Sequence, residues 1–600
     1  MKNHTRKRWL ALAFLIATSA SRAAQTKAAP DENSPLGVFE PAFNHEVPEA
    51  WKKGQAGWDG EPDSPYRYPE SPTRFMAAHL SLIPRGPYQG WLLTWNQMRV
   101  LVGEQYWAIL DPVNKTFLNY SVPSGPEDED WFCSGHAWTK DGDLFVAGGN
   151  KNINGWISAS KKTYRFVPSN ELGSGMWVRE ADLAIPRWYP TVTNMGSDSL
   201  LVIGGTRDTA GRKPFNSFES FDPSPAPGAG LWQSDPKRPE ARVFPGPSGL
   251  KRSYMFGFYP RTHLLSDGSL FFSGMSGLSY RLNDFDPEGK QAPSWDLPPQ
   301  NPFLSYLYSS SVLLPNLGGP GGPYQDMVLR TAGVEVPVVR HIPQIPPFVP
   351  GPPYGKASAK THWIRAGLRA DDEQWKWNSA GSLEFKRARA DATLLPDGTL
   401  IATGGKLDTE VEINCGVPVM RVEIFDVESM SWRTDARARV RRGYHSSVAL
   451  LPDGRVMLAG GEGREMDYEI YRPPYLTDGS LRPEILDQAE HGAAWEWGYA
   501  TEISVGYKIE ADVQVIKAVL MAPASTTHHS DVHQRYVELE TLPQKPGDSK
   551  EPAADLQLRF RTPPDSNHAP RGYYMLFLIT EKQGQAATGT PSEAAWVHLN

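Results

Sequence analysis

The sequence predicts an all-β protein, a seven-bladed β-propeller followed by an immunoglobulin-like β-sandwich. Three observations carry that expectation. Gly and Pro each occur 54 times in 600 residues, beside 20 Trp, a composition suited to many short strands joined by tight turns. A strand–turn–strand unit closing on Gly-Gly recurs along most of the chain. Beyond residue 468 the Gly-Gly marks stop and alternating strands continue without them.

The N-terminus opens with Lys2, Arg6, Lys7 and Arg8, followed by the short apolar run Trp9–Ala17 and by Ser21-Arg22-Ala23. That order is the pattern of a secretory signal, assigned to residues 1–23. The apolar run is shorter than the ~20 residues a spanning helix needs. The expectation is therefore an exported protein, secreted or periplasmic, with no membrane span. Residues 24–73, rich in Pro, Gly and charge, read as a mostly irregular lead-in. The net charge of −7 comes without a basic stripe interleaved with aromatics, which argues against a nucleic-acid partner. Only two cysteines are present, Cys133 and Cys415. They either pair as a disulfide, as exported chains commonly do, or one of them has another use.

From about Arg74 the unit repeats. Its plain copies are Lys140-Asp-Gly-Asp-Leu-Phe-Val-Ala-Gly-Gly149, Ser197-Asp-Ser-Leu-Leu-Val-Ile-Gly-Gly205, Pro396-Asp-Gly-Thr-Leu-Ile-Ala-Thr-Gly-Gly405 and Pro452-Asp-Gly-Arg-Val-Met-Leu-Ala-Gly-Gly461. Asp-Gly between apolar runs signals a hairpin, because Gly accepts the positive φ of the turn. A third strand follows most copies, and Trp177, Trp232, Trp295 and Trp432 mark a fourth. Taking Trp95, Gly148, Gly204, Gly274, Gly333, Gly404 and Gly460 as markers, the steps are 53, 56, 70, 59, 71 and 56 residues. Four strands in a period near ~50 residues is the kelch-type signature, so residues 74–468 are assigned to seven kelch-type blades. The second long step carries the Pro-rich Ile342–Tyr354, an extended surface connection with a lid as the alternative. Residues 469–600 are assigned to the sandwich, with strands at Thr501–Val505, Val513–Met521, Tyr536–Glu540, Leu556–Phe560 and Tyr573–Ile579.

Register inside the repeat points to chemistry. Cys133, Tyr189 and His445 each lie fifteen residues before the first Gly of their pair. Innermost propeller strands run the same way along the axis, so equal register means equal height at one mouth, with Tyr444 beside His445. Tyr259 and Arg389 share the register; each either lines a substrate pocket or packs at a blade edge. Phenol and imidazole donors suit copper better than zinc, whose sites take Cys, His and carboxylate. A second imidazole has three candidates in Thr526-Thr-His-His-Ser-Asp-Val-His533, a segment that otherwise reads as a solvated loop.

These segments resemble the copper radical oxidases, meaning galactose oxidase and, more closely, the glyoxal oxidases. Phe132-Cys133-Ser134-Gly135 resembles the family's cysteine segment and Arg187-Trp188-Tyr189 that of its cross-linked tyrosine. Arg442-Gly-Tyr444-His445-Ser resembles the axial tyrosine and histidine segment. Thr527-His528, with Gln534-Arg535 downstream, resembles the last histidine segment and selects His528. Arg472-Pro-Pro-Tyr475-Leu and Tyr573-Tyr-Met-Leu-Phe577 resemble the family's C-terminal domain. The likeness runs from about Arg74 to the C-terminus.

The resemblance implies one copper ion held by Tyr189, Tyr444, His445 and His528, and a Cys133–Tyr189 thioether serving as a built-in redox cofactor. It also implies a substrate that is a small hydrated aldehyde or primary alcohol, with O2 as acceptor and hydrogen peroxide as product. By the same resemblance Tyr189, Cys133 and Tyr444 would be catalytic; separately from it, Arg389 and Tyr308 on loops between blades are candidates to meet substrate, and a monomer is expected. The contrasting expectation is a propeller–sandwich without chemistry that binds a glycan or a surface partner. Two departures stand out. Galactose oxidase stacks a Trp on the thioether from just after a Gly-Gly pair, where this chain has Thr206-Arg207-Asp208. Its N-terminal carbohydrate-binding domain has no counterpart in the short lead-in.

Overall fold

Among the described residues the repeat units fold as seven antiparallel four-stranded blades, with blades five and six joined in one continuous sheet. The computed structural model describes residues 36–44, 77–96, 104–123, 129–153, 156–169, 176–207, 217–232, 242–243, 258–273, 279–283, 294–296, 305–307, 309–316, 325–336, 356–368, 372–407, 417–461, 467–509, 513–543, 556–580 and 589–600. The signal segment 1–23, most of the lead-in, Ile342–Tyr354, Tyr308 and Cys415 lie outside the described residues. Among the described residues no helix is long and apolar enough to cross a membrane; the only helical pieces are single 3₁₀ turns at Gly86–Tyr88 and Pro474–Leu476.

The innermost strands, in blade order, are His79–Leu82, Gly135–Trp138, Thr191–Asn194, Thr262–Leu264, Ser310–Leu313, the second half of Asn378–Leu394, and Ser446–Leu450. Side-chain hydrogen bonds join each to the next and close the circle. His79 meets His136 at 3.1 Å, Asn194 donates to the Trp138 carbonyl at 2.8 Å, and the Thr193 and Thr262 hydroxyls bond each other. His263 meets Ser311 at 2.8 Å, Ser310 donates to the Ala390 carbonyl at 2.6 Å, Ser446 to the Asp391 carboxylate, and Ser447 to the Ala78 carbonyl at 3.0 Å. Polar groups on strands turned toward an axis are thereby satisfied within the ring, while the sheet faces between blades bury the apolar residues.

Three features correct the expectations from sequence. The lead-in is not wholly irregular: Val38–Phe39 and Phe43–Asn44 pair with Asp467–Arg472 and complete blade seven from the outside. A boundary at 468 would cut that same strand, so the blade runs on through Arg472. Blades five and six share one long strand, Asn378–Leu394, which pairs with Lys356–Arg365 along its first half and with Leu400–Lys406 along its second.

The Gly-Gly marks have a reason beyond the turn. Gly460 sits at φ +67°, and a Cβ there would overlap the carbonyls of His445 and of Ala77 in the next blade. Gly148 is placed the same way against the Arg187 carbonyl of blade three. Behind each of three pairs an arginine is buried with a glutamate: Arg187 with Glu219 at 3.1 Å, Arg387 with Glu423 at 2.6 Å, and Arg442 with Glu469 at 3.5 Å. Each guanidinium also donates to its Gly carbonyl (Gly204, Gly404, Gly460). Gly460→Ala is expected to cost about 2–4 kcal/mol, the scale of a forced left-handed Cβ plus backbone overlap, read as a lowered urea midpoint; an unchanged midpoint contradicts this packing.

The sandwich has one sheet of Glu484–Ile485, Glu502–Lys508, Leu556–Arg561 and Glu540–Thr541. The other contains Trp495–Trp497, Ala595–Leu599, Gly572–Thr580, Val515–Met521 and Tyr536–Glu538. Trp497, Val505, Leu520, Phe560, Leu576 and Val597 fill the space between the two sheets. Met521, Tyr536, Met575 and Phe577 point the other way and join the propeller's own core at Leu394, Leu400 and Leu450. That shared core fixes how the next strand enters the ring.

Candidate copper site

Ser525–Thr527 leaves the sandwich and pairs with the innermost strand of blade one, His79 opposite Thr527 and Ser81 opposite Ser525. At its tip Thr527 and Ser530 exchange backbone hydrogen bonds at 3.0 and 2.9 Å. His528 and His529 are the two residues between, at φ +51° and +55°, as a tight two-residue reversal requires. The segment that on its spacing alone read as a solvated loop is instead a buried hairpin tip inside the propeller.

The register residues arrive at the same place. Cys133, Tyr189, Tyr259, Arg389 and His445 all have left-handed backbones, at φ +63°, +60°, +44°, +63° and +68°. Non-glycine residues adopt that region at a cost and tend to cluster at functional sites. Their backbones are tied across blades: Tyr189 N–H donates to the Cys133 carbonyl at 3.0 Å and Tyr259 N–H to the Tyr189 carbonyl at 2.8 Å. Equal register thus becomes equal height.

The structure brings Cys133, Tyr189, Tyr444, His445 and His528 together. The Tyr189 and Tyr444 hydroxyls hydrogen-bond each other. The His528 ring lies 4.5 Å from the His445 ring, 5.0 Å from Tyr189 and 5.3 Å from Tyr444, between centroids. Its Nε2 is 3.7 Å from Cys133 Sγ. Cys133 is buried and forms no disulfide among the described residues. Tyr259, for which packing at a blade edge was one expectation, instead lies 4.8 Å from Tyr189 and 5.0 Å from His528. Arg389 sets its guanidinium 4.7 Å over the Tyr444 ring.

Against Tyr189 packs Trp188, ring to ring at 4.1 Å and 49°, with Phe258 at 4.9 Å. The Trp188 indole N–H donates to Asn150 Oδ1 at 2.7 Å, which anchors it. The aromatic cover absent after Gly204-Gly205 is thus supplied by the residue that precedes the tyrosine.

The donor set fits a metal ion on three counts. His445 Nε2 is buried and finds no hydrogen-bond partner among the described residues, a costly state for an imidazole lone pair unless a ligand takes it. His445 titrates at about 3, because burial and then Arg389 oppose its charging. Burial, followed by its imidazole neighbours, also pushes His528 well down, so both rings stay neutral and able to donate. Burial, then Cys133, Tyr444 and Tyr259, pushes Tyr189 far above the usual phenol range; a cation beside the oxygen is what would bring a phenolate within reach. Two imidazoles and two phenols form a set suited to Cu(II).

Sequence reasoning quoted Thr527 in the histidine segment but gave it no role. Its hydroxyl donates to the Ala78 carbonyl at 2.8 Å and so accepts from His528 Nδ1 at 2.6 Å. That places the His528 proton on Nδ1 and leaves the Nε2 lone pair facing the site, the usual outer-shell support of a metal-binding imidazole. Thr527→Val is expected to weaken copper binding by about 10–100-fold, measured by competition with a chelator of known affinity; unchanged affinity contradicts the role.

Residues 482–599 match the galactose oxidase-like early set domain. The chain is 25% identical over 495 residues to an aldehyde oxidase of Vitis pseudoreticulata, with 78% of this chain and 82% of that protein covered. Over 494 residues it is 25% identical to a galactose oxidase of Gibberella zeae, with 78% of this chain and 61% of that protein covered. Among solved structures, a fungal alcohol oxidase in complex with copper shares the fold, with TM-score 0.64 at 18% identity over 94% of this chain and 100% of that one. By its C-terminal domain, its relatives and its fold, the chain is similar to the copper oxidases of the galactose oxidase and glyoxal oxidase type.

Proposed function

We propose that the protein is a copper radical oxidase that oxidises a small hydrated aldehyde or a primary alcohol with O2 and releases hydrogen peroxide. The observation that carries this reading is the convergence of the hydrogen-bonded Tyr189 and Tyr444 phenols with the His528 ring and with the His445 ring, whose buried Nε2 has no partner among the described residues. These four residues would hold one copper, and the Cys133 thiol, which lies in the same buried cluster as Tyr189, would be joined to the Tyr189 ring as a thioether. Copper held there supplies a one-electron couple and lowers the energy of the neighbouring phenolate.

The rest falls to the chain. Tyr444, half-buried, takes the proton of the substrate hydroxyl, as general-base work at hydrogen-bond distance requires. Tyr189, in its oxidised form, takes a hydrogen atom from the substrate carbon and is the second one-electron carrier. Sulfur ortho to the phenol oxygen eases that oxidation, and Trp188, Phe258 and Tyr259 exclude water from the ring. An alcohol loses two hydrogens to become an aldehyde, a hydrated aldehyde becomes an acid, and dioxygen leaves as peroxide. Arg389, half-buried above Tyr444, donates to a second oxygen of the substrate. Arg389→Ala is expected to raise KM about tenfold with a smaller change in kcat, the pattern of lost ground-state binding; an unchanged KM across substrates removes Arg389 from recognition. Export, by residues 1–23, belongs to the same proposal.

The test is a peroxide-coupled screen of the copper-loaded protein against glyoxal, methylglyoxal, glycolaldehyde, galactose and aryl alcohols. Peroxide from at least one supports the reading. Stoichiometric copper with no peroxide from any overturns it in favour of a binding protein.

A further inference from the structure

Two buried imidazoles that this chemistry leaves idle sit directly behind Cys133. His79 lies on the innermost strand of blade one and His136 on that of blade two, both buried. Their hydrogen-bond roles follow from their partners. A backbone N–H can only donate, so His79 Nε2 accepts from Cys133 N at 3.2 Å. The His79 proton therefore lies on Nδ1, which meets His136 Nε2 at 3.1 Å. His136 then carries its own proton on Nδ1, 2.6 Å from Ser525 Oγ and 3.5 Å from Ser81 Oγ. Ser525 donates onward to the His136 carbonyl at 3.3 Å. Every donor in this chain has an acceptor, and the polarity runs one way, from the Cys133 amide to the strand that the sandwich inserts.

The chain is also held in place. Trp95 stacks flat on His79, at 4.6 Å and 9°, and its indole N–H donates to the Trp131 carbonyl at 3.1 Å. Trp95 and His79 thus grip the turn Trp131–Cys133 at two points. Cys133 needs such a grip, because its backbone is left-handed at φ +63°, a conformation that a residue with a Cβ leaves readily unless its surroundings impose it.

We propose that His79 is a positioning residue for thioether formation: the relay Ser525–His136–His79 fixes the Cys133 amide so that its thiol faces Tyr189, and makes that pose depend on the docked sandwich strand. The inference rests on the copper radical oxidase reading. In the step it serves, the Cys133 S–H bond and one ortho C–H bond of Tyr189 break and an S–C bond forms. Two electrons and two protons pass to dioxygen, giving hydrogen peroxide.

The experiment uses the full chain prepared without copper. Cu(II) is added in air, and intact mass and denaturing-gel mobility are followed over time, with copper uptake measured in parallel. The wild type is expected to lose two hydrogens. His79→Leu is expected to do so about tenfold more slowly or less while still taking up copper. His79→Gln, whose side-chain oxygen can accept from the Cys133 amide, is expected to recover most of the rate. Ser525→Ala, which changes only the far end of the relay, is expected to fall between Leu and wild type, and serves if His79→Leu does not fold. His79→Leu at the wild-type rate, His79→Gln as slow as His79→Leu, or Ser525→Ala at the wild-type rate overturns the inference alone. A wild type that keeps its full mass with copper bound overturns the thioether reading beneath it.

Discussion

Tyr189→Phe is expected to reduce peroxide production by at least about 10⁴-fold, beyond what a single positioned acid–base group contributes, while the propeller stays folded. The prediction follows from the two roles that meet at one oxygen. The Tyr189 hydroxyl bonds that of Tyr444, and its ring is enclosed by Trp188, Phe258 and Tyr259. Phenylalanine keeps the ring and the packing and deletes the oxygen, so thermal stability should change little while oxidase turnover disappears. Steady-state peroxide formation against the best substrate of the screen, beside a thermal melt, checks both halves. A variant retaining a tenth of wild-type turnover would mean that the second electron is carried elsewhere.

Tyr444→Phe has the second largest expected effect, a loss of about 10²–10⁴-fold in kcat, the range for removing a positioned proton acceptor. Tyr444 is the half-buried phenol of the pair, whereas Tyr189 is buried, so Tyr444 is the one open to a substrate hydroxyl. Because His445 and His528 remain, copper binding should survive. The signature is a fall in kcat and kcat/KM together, as expected for an interaction made in the transition state. A rise in KM alone would make Tyr444 a binding residue.

Much of this arrangement was legible because glycine leaves no latitude where carbonyls crowd it. Gly148, Gly404 and Gly460 are held by the backbone approach of neighbouring segments, and counting back fifteen residues from them and from Gly204 lands on positions that share one left-handed conformation. The Asp-Gly turns and the Trp of the fourth strands follow the same logic. What stayed hidden was set by contacts between distant segments. Val38–Phe39 is two residues long, too short for any periodicity, yet it closes blade seven. Tyr259 reads as a blade-edge aromatic until the Tyr189 carbonyl accepts its amide. His79 and His136 lie on short, mostly apolar strands, where in sequence they look like any satisfied core histidine. The buried arginines did leave a signal: Arg187 and Arg387 lie seventeen residues before their glycine and Arg442 eighteen.

The central claim is that Cys133 and Tyr189 become one redox unit, with Sγ of the only described cysteine buried beside the ring. Intact mass of the copper-loaded protein after full reduction measures it most directly. The account predicts a chain lighter by two hydrogens, unchanged by thiol reductant and restored to its expected mass in Cys133→Ala. A chain of full mass whose Cys133 thiol is alkylated once the protein is denatured would contradict it.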